Sequence, residues 1–144
     1  MPQTPNPSLL ALDVGARRVG VAIASLVARL PRPLITLLRD DTLFPTLHTI
    51  VEVEGVTKLI VGFPRGLQGQ HTAQTEAIEA FVEELKQQFA LPVLLQDEAL
   101  TSKHAEDELR MRGKPFEKED IDSLAATYIL EDYLKEFREQ AVRG

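Results

Sequence analysis

The sequence predicts an α/β fold in which a mixed β-sheet carries helices on both faces. Two uninterrupted apolar runs, residues 9–12 and 19–24, are separated by a short turn, which is typical of a buried hairpin. Further along the chain, short apolar runs alternate with segments whose apolar residues recur at helical spacing. The predicted order is β-β-β-α-β-α-β-α-α, and a hairpin meander followed by βα units gives a mixed sheet.

The amino-terminal half is predicted to hold a three-stranded meander and one helix. Residues 15–18 form the turn between the first two strands, and a third short strand covers residues 34–39. From Thr42 onward the apolar residues fall at helical spacing. Gly55 is expected to end that helix, because glycine readily adopts the left-handed conformation found just after helices.

The carboxyl-terminal half is predicted to alternate strands and helices. Residues 56–61 form a β-branched apolar run typical of a buried strand, and Thr72 can cap the helix that follows the next loop. A third buried strand is expected over residues 93–95. Two helices then complete the chain, one from Thr101 or Ser102 to about Arg112 and one from Asp120 onward.

Composition favours one globular domain over residues 1–144, with flexible ends at residues 1–7 and about 138–144. The chain has no cysteine, which excludes disulfides and thiolate metal sites. No apolar run approaches the ~20 residues of a membrane span, and residues 1–7 lack the features of a secretion signal, so we expect a cytoplasmic protein. A net charge of −6 argues against bulk coating of nucleic acid, although it allows a local basic patch.

Three carboxylates lie at positions where an α/β fold usually carries functional side chains. Asp13 and Glu98 each stand at the carboxyl end of a predicted strand, and Asp122 lies near the start of the last helix. Strand ends can meet at one edge of such a sheet, and three oxygen ligands from separate elements suit Mg²⁺ or Mn²⁺. Two alternatives remain open, because Asp13 could simply form a turn and Asp122 could simply complement the helix dipole.

Four stretches in a fixed order resemble the YqgF (RuvX) family of RNase H-like proteins. The family is described as Holliday junction resolvase-like and as pre-16S ribosomal RNA nucleases. The similarity spans most of the chain, from about Leu9 to Leu134. It is carried by Leu10-Ala-Leu-Asp-Val-Gly-Ala-Arg-Arg-Val-Gly-Val-Ala, by Val61-Gly-Phe-Pro, by Asp97-Glu98 with Leu100-Thr-Ser and Ala105-Glu106, and by Ile121-Asp-Ser-Leu-Ala-Ala with Ile129-Leu-Glu-Asp-Tyr-Leu.

This resemblance implies an RNase H-like fold and metal-dependent phosphodiester cleavage, with a role in 5′-end maturation of pre-16S ribosomal RNA. It gives Asp13, Glu98 and Asp122 the role of catalytic ligands to two Mg²⁺ or Mn²⁺ ions. Two positions depart from the family pattern. Ala99 stands where an arginine usually follows Asp-Glu, and Leu26 stands where an aspartate is usual. Because that arginine could contact phosphate, its absence puts the phosphate contact in question.

Basic residues near the predicted site are candidates for binding nucleic acid. Arg17 and Arg18 flank Asp13, Arg65 lies in a glycine-containing loop, and Lys103 begins the third helix. Arg18 or Lys103 is a candidate substitute for the missing arginine. A basic stripe around the third helix consists of Lys103, Arg110, Arg112 and Lys114. Ordinary surface charge and a flexible loop are the alternative explanations.

Several functions remain open at this stage. A nuclease acting on structured RNA is the leading hypothesis, and a Holliday junction resolvase-like endonuclease acting on branched DNA is the second. A binding module that kept the fold but lost catalysis is the third. An ATPase of the sugar kinase or actin type is disfavoured, because 144 residues leave no room for its second domain. The sequence leaves the oligomeric state open between monomer and homodimer.

Overall fold

A computed structural model describes residues 6–64, 72–98 and 102–143, with residues 102 and 137–143 described for their backbone alone. The element order agrees with the prediction. In chain order the elements are β1 (Ser8–Val14), β2 (Arg18–Ser25), β3 (Arg32–Leu38), α1 (Leu43–Glu54), β4 (Val56–Pro64), α2 (Ala73–Gln88), β5 (Val93–Glu98), α3 (Ser102–Met111) and α4 (Lys118–Arg143).

The five strands form one mixed sheet in the order β3-β2-β1-β4-β5. Strands β1, β2 and β3 are antiparallel neighbours, which confirms the predicted meander. Strand β4 joins β1 in parallel, and β5 joins β4 in parallel. The carboxyl ends of β1, β4 and β5 therefore lie at the same end of the sheet.

Side chains along β1 alternate between the two faces of the sheet. Leu10 and Leu12 belong to the larger core cluster, which contains the buried apolar side chains of α1 and α2. Leu9 and Ala11 belong to a second cluster with α4, and α3 packs against α4 in a third. Helices thus cover both faces, as predicted, and the period of two assigns Asp13 to the face covered by α4.

Two predicted helix boundaries are confirmed by their caps. Gly55 ends α1 with φ 63° and donates its N–H to the carbonyl oxygen of Val51. Thr72 caps α2 through a reciprocal pair of hydrogen bonds with Thr75. Satisfaction of these polar groups explains why Thr75 is buried although it is polar.

The prediction that β5 is a buried strand is wrong in one respect. Strand β5 extends to Glu98, beyond the predicted residue 95, and lies at the edge of the described sheet. Leu94 and Leu95 are consequently 37% and 40% exposed. The apolar run of residues 93–95 signals a strand correctly, but a short run does not distinguish an edge position from a central one.

Helix α4 is the longest element and runs from Lys118 to Arg143. Its backbone therefore covers most of the carboxyl end that the sequence predicts to be flexible. Residues 1–5 and 144 lie outside the described residues, so the predicted flexibility of both ends stays a prediction. Among the described helices, none combines the length and apolar character needed to cross a membrane.

The start of α4 packs directly against the backbone of β2 at Gly20. A Cβ atom built on Gly20 would lie 2.0 Å from the carbonyl oxygen of Asp122 and 2.3 Å from its carbonyl carbon. Gly62 on β4 also faces α4, but its Cβ would first meet the terminal methyl group of Ile129, at 2.4 Å. The obstacle at Gly20 is main chain, whereas the obstacle at Gly62 is the end of a side chain.

We expect Gly20→Ala to lower the free energy of unfolding by about 1–3 kcal/mol or more, because the added methyl group must displace the helix backbone. Gly62→Ala is the matched comparison and should cost less, because its nearest obstacle is the end of a side chain and not main chain. Urea denaturation of both variants measures the difference. Equal stability of Gly20→Ala and the unaltered protein would contradict the described packing of α4 on β2.

Candidate functional site

The structure brings the three predicted carboxylates together on the face of the sheet that α4 covers. Asp13 is the penultimate residue of β1, Glu98 is the last residue of β5, and Asp122 is the fifth residue of α4. Asp13 pairs with Gly20 across the hairpin, and Gly20 contacts the main chain of Asp122. Asp13 and Asp122 are therefore neighbours because of where α4 packs.

Glu98 reaches this face over Gly62. Strand β4 separates β1 from β5, and Gly62 follows Val61, the β4 partner of Leu12. A Cβ atom on Gly62 would lie 3.2 Å from Oε2 of Glu98. The missing side chain at position 62 thus leaves space on β4, between β1 and β5, into which the glutamate extends.

Burial and mutual repulsion raise the pKa values of two of these carboxyl groups. Burial, with the nearby charges of Asp13 and Asp132, raises the pKa of Glu98 to about 8. Burial, with the charge of Asp122, raises the pKa of Asp13 to about 6. Both shifts have the direction expected for acids that share a poorly solvated site with like charges. A cation would relieve this repulsion.

Asp122 is bound to Arg18, the first residue of β2. The guanidinium Nε of Arg18 donates a hydrogen bond of 2.6 Å to Oδ2 of Asp122. This contact joins residues 104 positions apart. The two side chains remain 31% and 21% exposed, so the ion pair borders solvent and can exchange partners.

One acidic residue near the site was missed by the sequence analysis. Asp132 lies ten residues after Asp122, a little under three turns further along α4, and its charge contributes to the raised pKa of Glu98. A neighbouring contact joins the Gln96 side chain on β5 to Oε1 of Glu136 at 3.0 Å. The sequence did carry a signal for Asp132, because it follows Ile129, Tyr128 and Ala125 at spacings of three, four and seven residues, which places it on the buried face of α4.

The predicted nucleic-acid-binding residues have different outcomes. Arg18 and Lys103 line the same groove as Asp122, whereas Arg17 is exposed in the hairpin turn. Arg65 lies outside the described residues, as does Ala99. The predicted basic stripe divides, because Lys103 and Arg110 line this groove while Arg112 and Lys114 line a separate cavity.

The donor set is chemically suited to a hard divalent cation. Ligand carboxylates must be deprotonated, and binding of a cation would lower the raised pKa values of Asp13 and Glu98. In the part of the chain that the structure describes, no group of three His, Cys, Asp or Glu side chains is arranged as a ready cation site. Asp122 is at the same time engaged by Arg18.

The fold matches that of solved resolvase structures. Thermus thermophilus RuvC, solved in complex with a Holliday junction substrate, matches 91% of this chain and 96% of its own length with a TM-score of 0.55 at 14% identity. The fowlpox virus resolvase, solved with Holliday junction DNA, matches 90% of this chain and 98% of its own with a TM-score of 0.53 at 12% identity. The chain has the RNase H-like α/β fold of these resolvases, as predicted.

The sequence comparisons identify the family. The sequence profile described as RuvX, Holliday junction resolvase, matches residues 7–136. A relative from Chloroflexus aggregans, described as "Putative pre-16S rRNA nuclease", is 42% identical over 131 residues, covering 88% of this chain and 92% of the relative. A relative of the same description from Sulfurihydrogenibium is 34% identical over 128 residues, covering 88% of each chain. This protein belongs to the RuvX family.

The raised pKa of Glu98 predicts that the metal-free protein loses stability as pH rises. The folded protein keeps this proton to about pH 8, whereas the unfolded chain releases it near 4.5, so the stabilisation present at low pH is lost between these values. Glu98→Gln stays neutral throughout. We expect it to raise the free energy of unfolding at pH 8 by roughly 1–3 kcal/mol and to change it little at pH 4.5.

Urea denaturation in EDTA at both pH values measures this effect. Glu79→Gln is the matched control, because Glu79 is exposed on α2 and should show no such gain. If Glu98→Gln and the unaltered protein have the same free energy of unfolding at both pH values, the described burial of Glu98 is contradicted.

Proposed function

We propose that this protein is a divalent-metal-dependent nuclease that hydrolyses phosphodiester bonds. The observation that carries the proposal is the convergence of Asp13, Glu98 and Asp122, from β1, β5 and α4, on one face of an RNase H-like sheet. Asp13 and Glu98 lie close together in a poorly solvated site, where two negative charges repel each other. A bound cation would neutralise this repulsion, so the site favours cation binding. Membership of the RuvX family supports the same activity.

In this proposal the three carboxylates hold Mg²⁺ or Mn²⁺ in a two-ion site. When bound, such ions supply an activated water and stabilise the leaving oxygen of the phosphodiester. Asp13 and Glu98 supply anionic oxygens from the ends of two parallel strands, which keeps their separation fixed by the sheet. Arg18 and Lys103 supply positive charge for the phosphate beside them, in place of the arginine that Ala99 replaces.

We propose structured ribosomal RNA as the substrate class, with 5′-end maturation of pre-16S rRNA as the reaction. The support is the description carried by relatives at 42% and 34% identity over most of both chains. A reaction on ribosomal RNA also fits the cytoplasmic location expected from the sequence.

Cleavage of branched DNA is the second candidate function. The family description, Holliday junction resolvase, favours it. Both candidates use the same carboxylates and differ in the nucleic acid that is presented to them.

Asp13→Asn is expected to reduce the rate of RNA cleavage by roughly a hundredfold or more, because it removes one anionic ligand from the site. Cleavage by the unaltered protein should stop in EDTA and return with Mg²⁺ or Mn²⁺. Asp41→Asn is the control, since Asp41 is exposed in the turn before α1. Gel analysis of a labelled precursor rRNA fragment measures both. Binding without cleavage in every metal would instead identify a catalytically inactive binding module.

Side-by-side assays on a precursor 16S rRNA fragment and a four-way DNA junction distinguish the two substrates. We expect faster cleavage of the RNA under identical metal conditions, with both activities lost in Asp13→Asn. Preferential cleavage of the junction would replace the first candidate with the second and leave the chemistry of the site unchanged.

A further inference from the structure

A groove of about 640 Å³ lies beside Asp122, between α3 and the start of α4. Four cationic side chains line it: Arg18, Lys103, Arg110 and Lys118. Glu106, Asp107 and Asp122 supply the negative charges of the same groove. The lining therefore carries one excess positive charge, on a chain whose net charge is −6. The groove therefore differs in sign from the chain as a whole and can attract an anion.

The groove contains two kinds of cation. Arg110 is paired with Glu106 one turn away, and Arg18 is paired with Asp122. Lys103 and Lys118 have no ion-pair partner among the side chains that the structure describes. They are therefore free to bind a ligand without breaking an existing contact.

Both lysines occupy positions where a cation is electrostatically unfavourable. Lys103 is the second residue of α3, and Lys118 is the first residue of α4. The positive ends of two helix dipoles are directed at these positions, which disfavours a nearby cation by about 0.3–1 kcal/mol. An anion bound in the groove would interact favourably with both lysines and both helix ends.

We propose that this groove holds the phosphodiester backbone of the nucleic acid and that Arg18 exchanges Asp122 for a phosphate oxygen there, which releases Asp122 to bind the divalent cation. The inference rests on the proposed function for the identity of both ligands. It adds Lys118 as a backbone contact, and it assigns Arg18 as a positioning residue that couples nucleic-acid binding to metal binding.

The geometry of Arg18 permits this exchange. Its single described bond to Asp122 uses Nε, so the two terminal nitrogens of the guanidinium can make the first contact with a phosphate before the bond to Asp122 breaks. Phosphate oxygens accept charge-assisted hydrogen bonds from arginine as well as a carboxylate does. Because the pair is partly exposed, the transfer does not require opening of the core.

The first test measures Mn²⁺ binding by calorimetry in the absence of nucleic acid. Arg18→Gln is expected to bind Mn²⁺ about fivefold or more tightly than the unaltered protein, because Asp122 is no longer engaged. Arg112→Gln is the matched control, since it removes an equal charge and an ion pair with Glu108 outside the groove. An unchanged or weaker affinity in Arg18→Gln, relative to this control, would overturn the exchange.

The second test measures binding of a labelled single-stranded RNA in EDTA by fluorescence anisotropy. Lys118→Gln and Lys103→Gln are each expected to weaken binding about fivefold at 0.1 M salt and to reduce the slope of log affinity against log salt by about 0.7. Lys86→Gln on α2, on the opposite face of the sheet, is the control and should bind normally. Both variants should lose affinity for a DNA strand of the same sequence by the same factor, because the contacts are to the phosphodiester backbone.

Unaltered RNA affinity in both lysine variants would overturn the assignment of the groove. Neither binding test requires cleavage, so the results of both tests are independent of the nuclease assay. If the unaltered protein cleaves no nucleic acid but both binding tests give the expected results, the proposed nuclease activity is refuted. The assignment of the groove and the exchange by Arg18 remain supported in that case. Circular dichroism of each variant checks folding, and we expect no loss of stability from either lysine substitution because an unfavourable cation is removed.

Discussion

The candidate site depends on the contact between the main chain of α4 and Gly20. Because Gly20 pairs with Asp13 across the hairpin, a helix that rests on Gly20 necessarily brings Asp122 beside Asp13. A side chain at position 20 would lift the first turns of α4 and widen the distance between the two carboxylates. One residue without a side chain therefore sets both the packing of a layer and the geometry of the acids beneath it.

The same arrangement destabilises the folded protein, because it places carboxylates close together in a poorly solvated site. Burial raises the pKa values of Asp13 and Glu98, and the charges of Asp122 and Asp132 add to these effects. Asp122 is paired with Arg18. A site with this excess of negative charge is less stable than an apolar one, and such local conflicts between stability and charge are typical of functional sites.

Periodicity predicted most of the fold, because burial of a face imposes a regular pattern on neighbouring residues. The run of residues 9–12, the glycine cap at Gly55 and the Thr72 cap all gave correct elements. Strand ends also placed Asp13 and Glu98 correctly. The pair of Arg18 with Asp122 joins distant parts of the chain, and the contact at Gly20 depends on the docking of a helix. Neither leaves a local pattern, so neither could be predicted from one sequence.

The edge position of β5 gives the acids of the site unequal support from the sheet. Asp13 lies on the central strand β1, which is held by neighbours on both sides, whereas Glu98 ends a strand that pairs only with β4 in the described sheet. Amide groups at such an edge exchange with solvent through local opening, at a lower free energy than global unfolding. The main chain at Glu98 is therefore held by fewer strand neighbours than that at Asp13, and we expect the amides of β5 to exchange before those of β1.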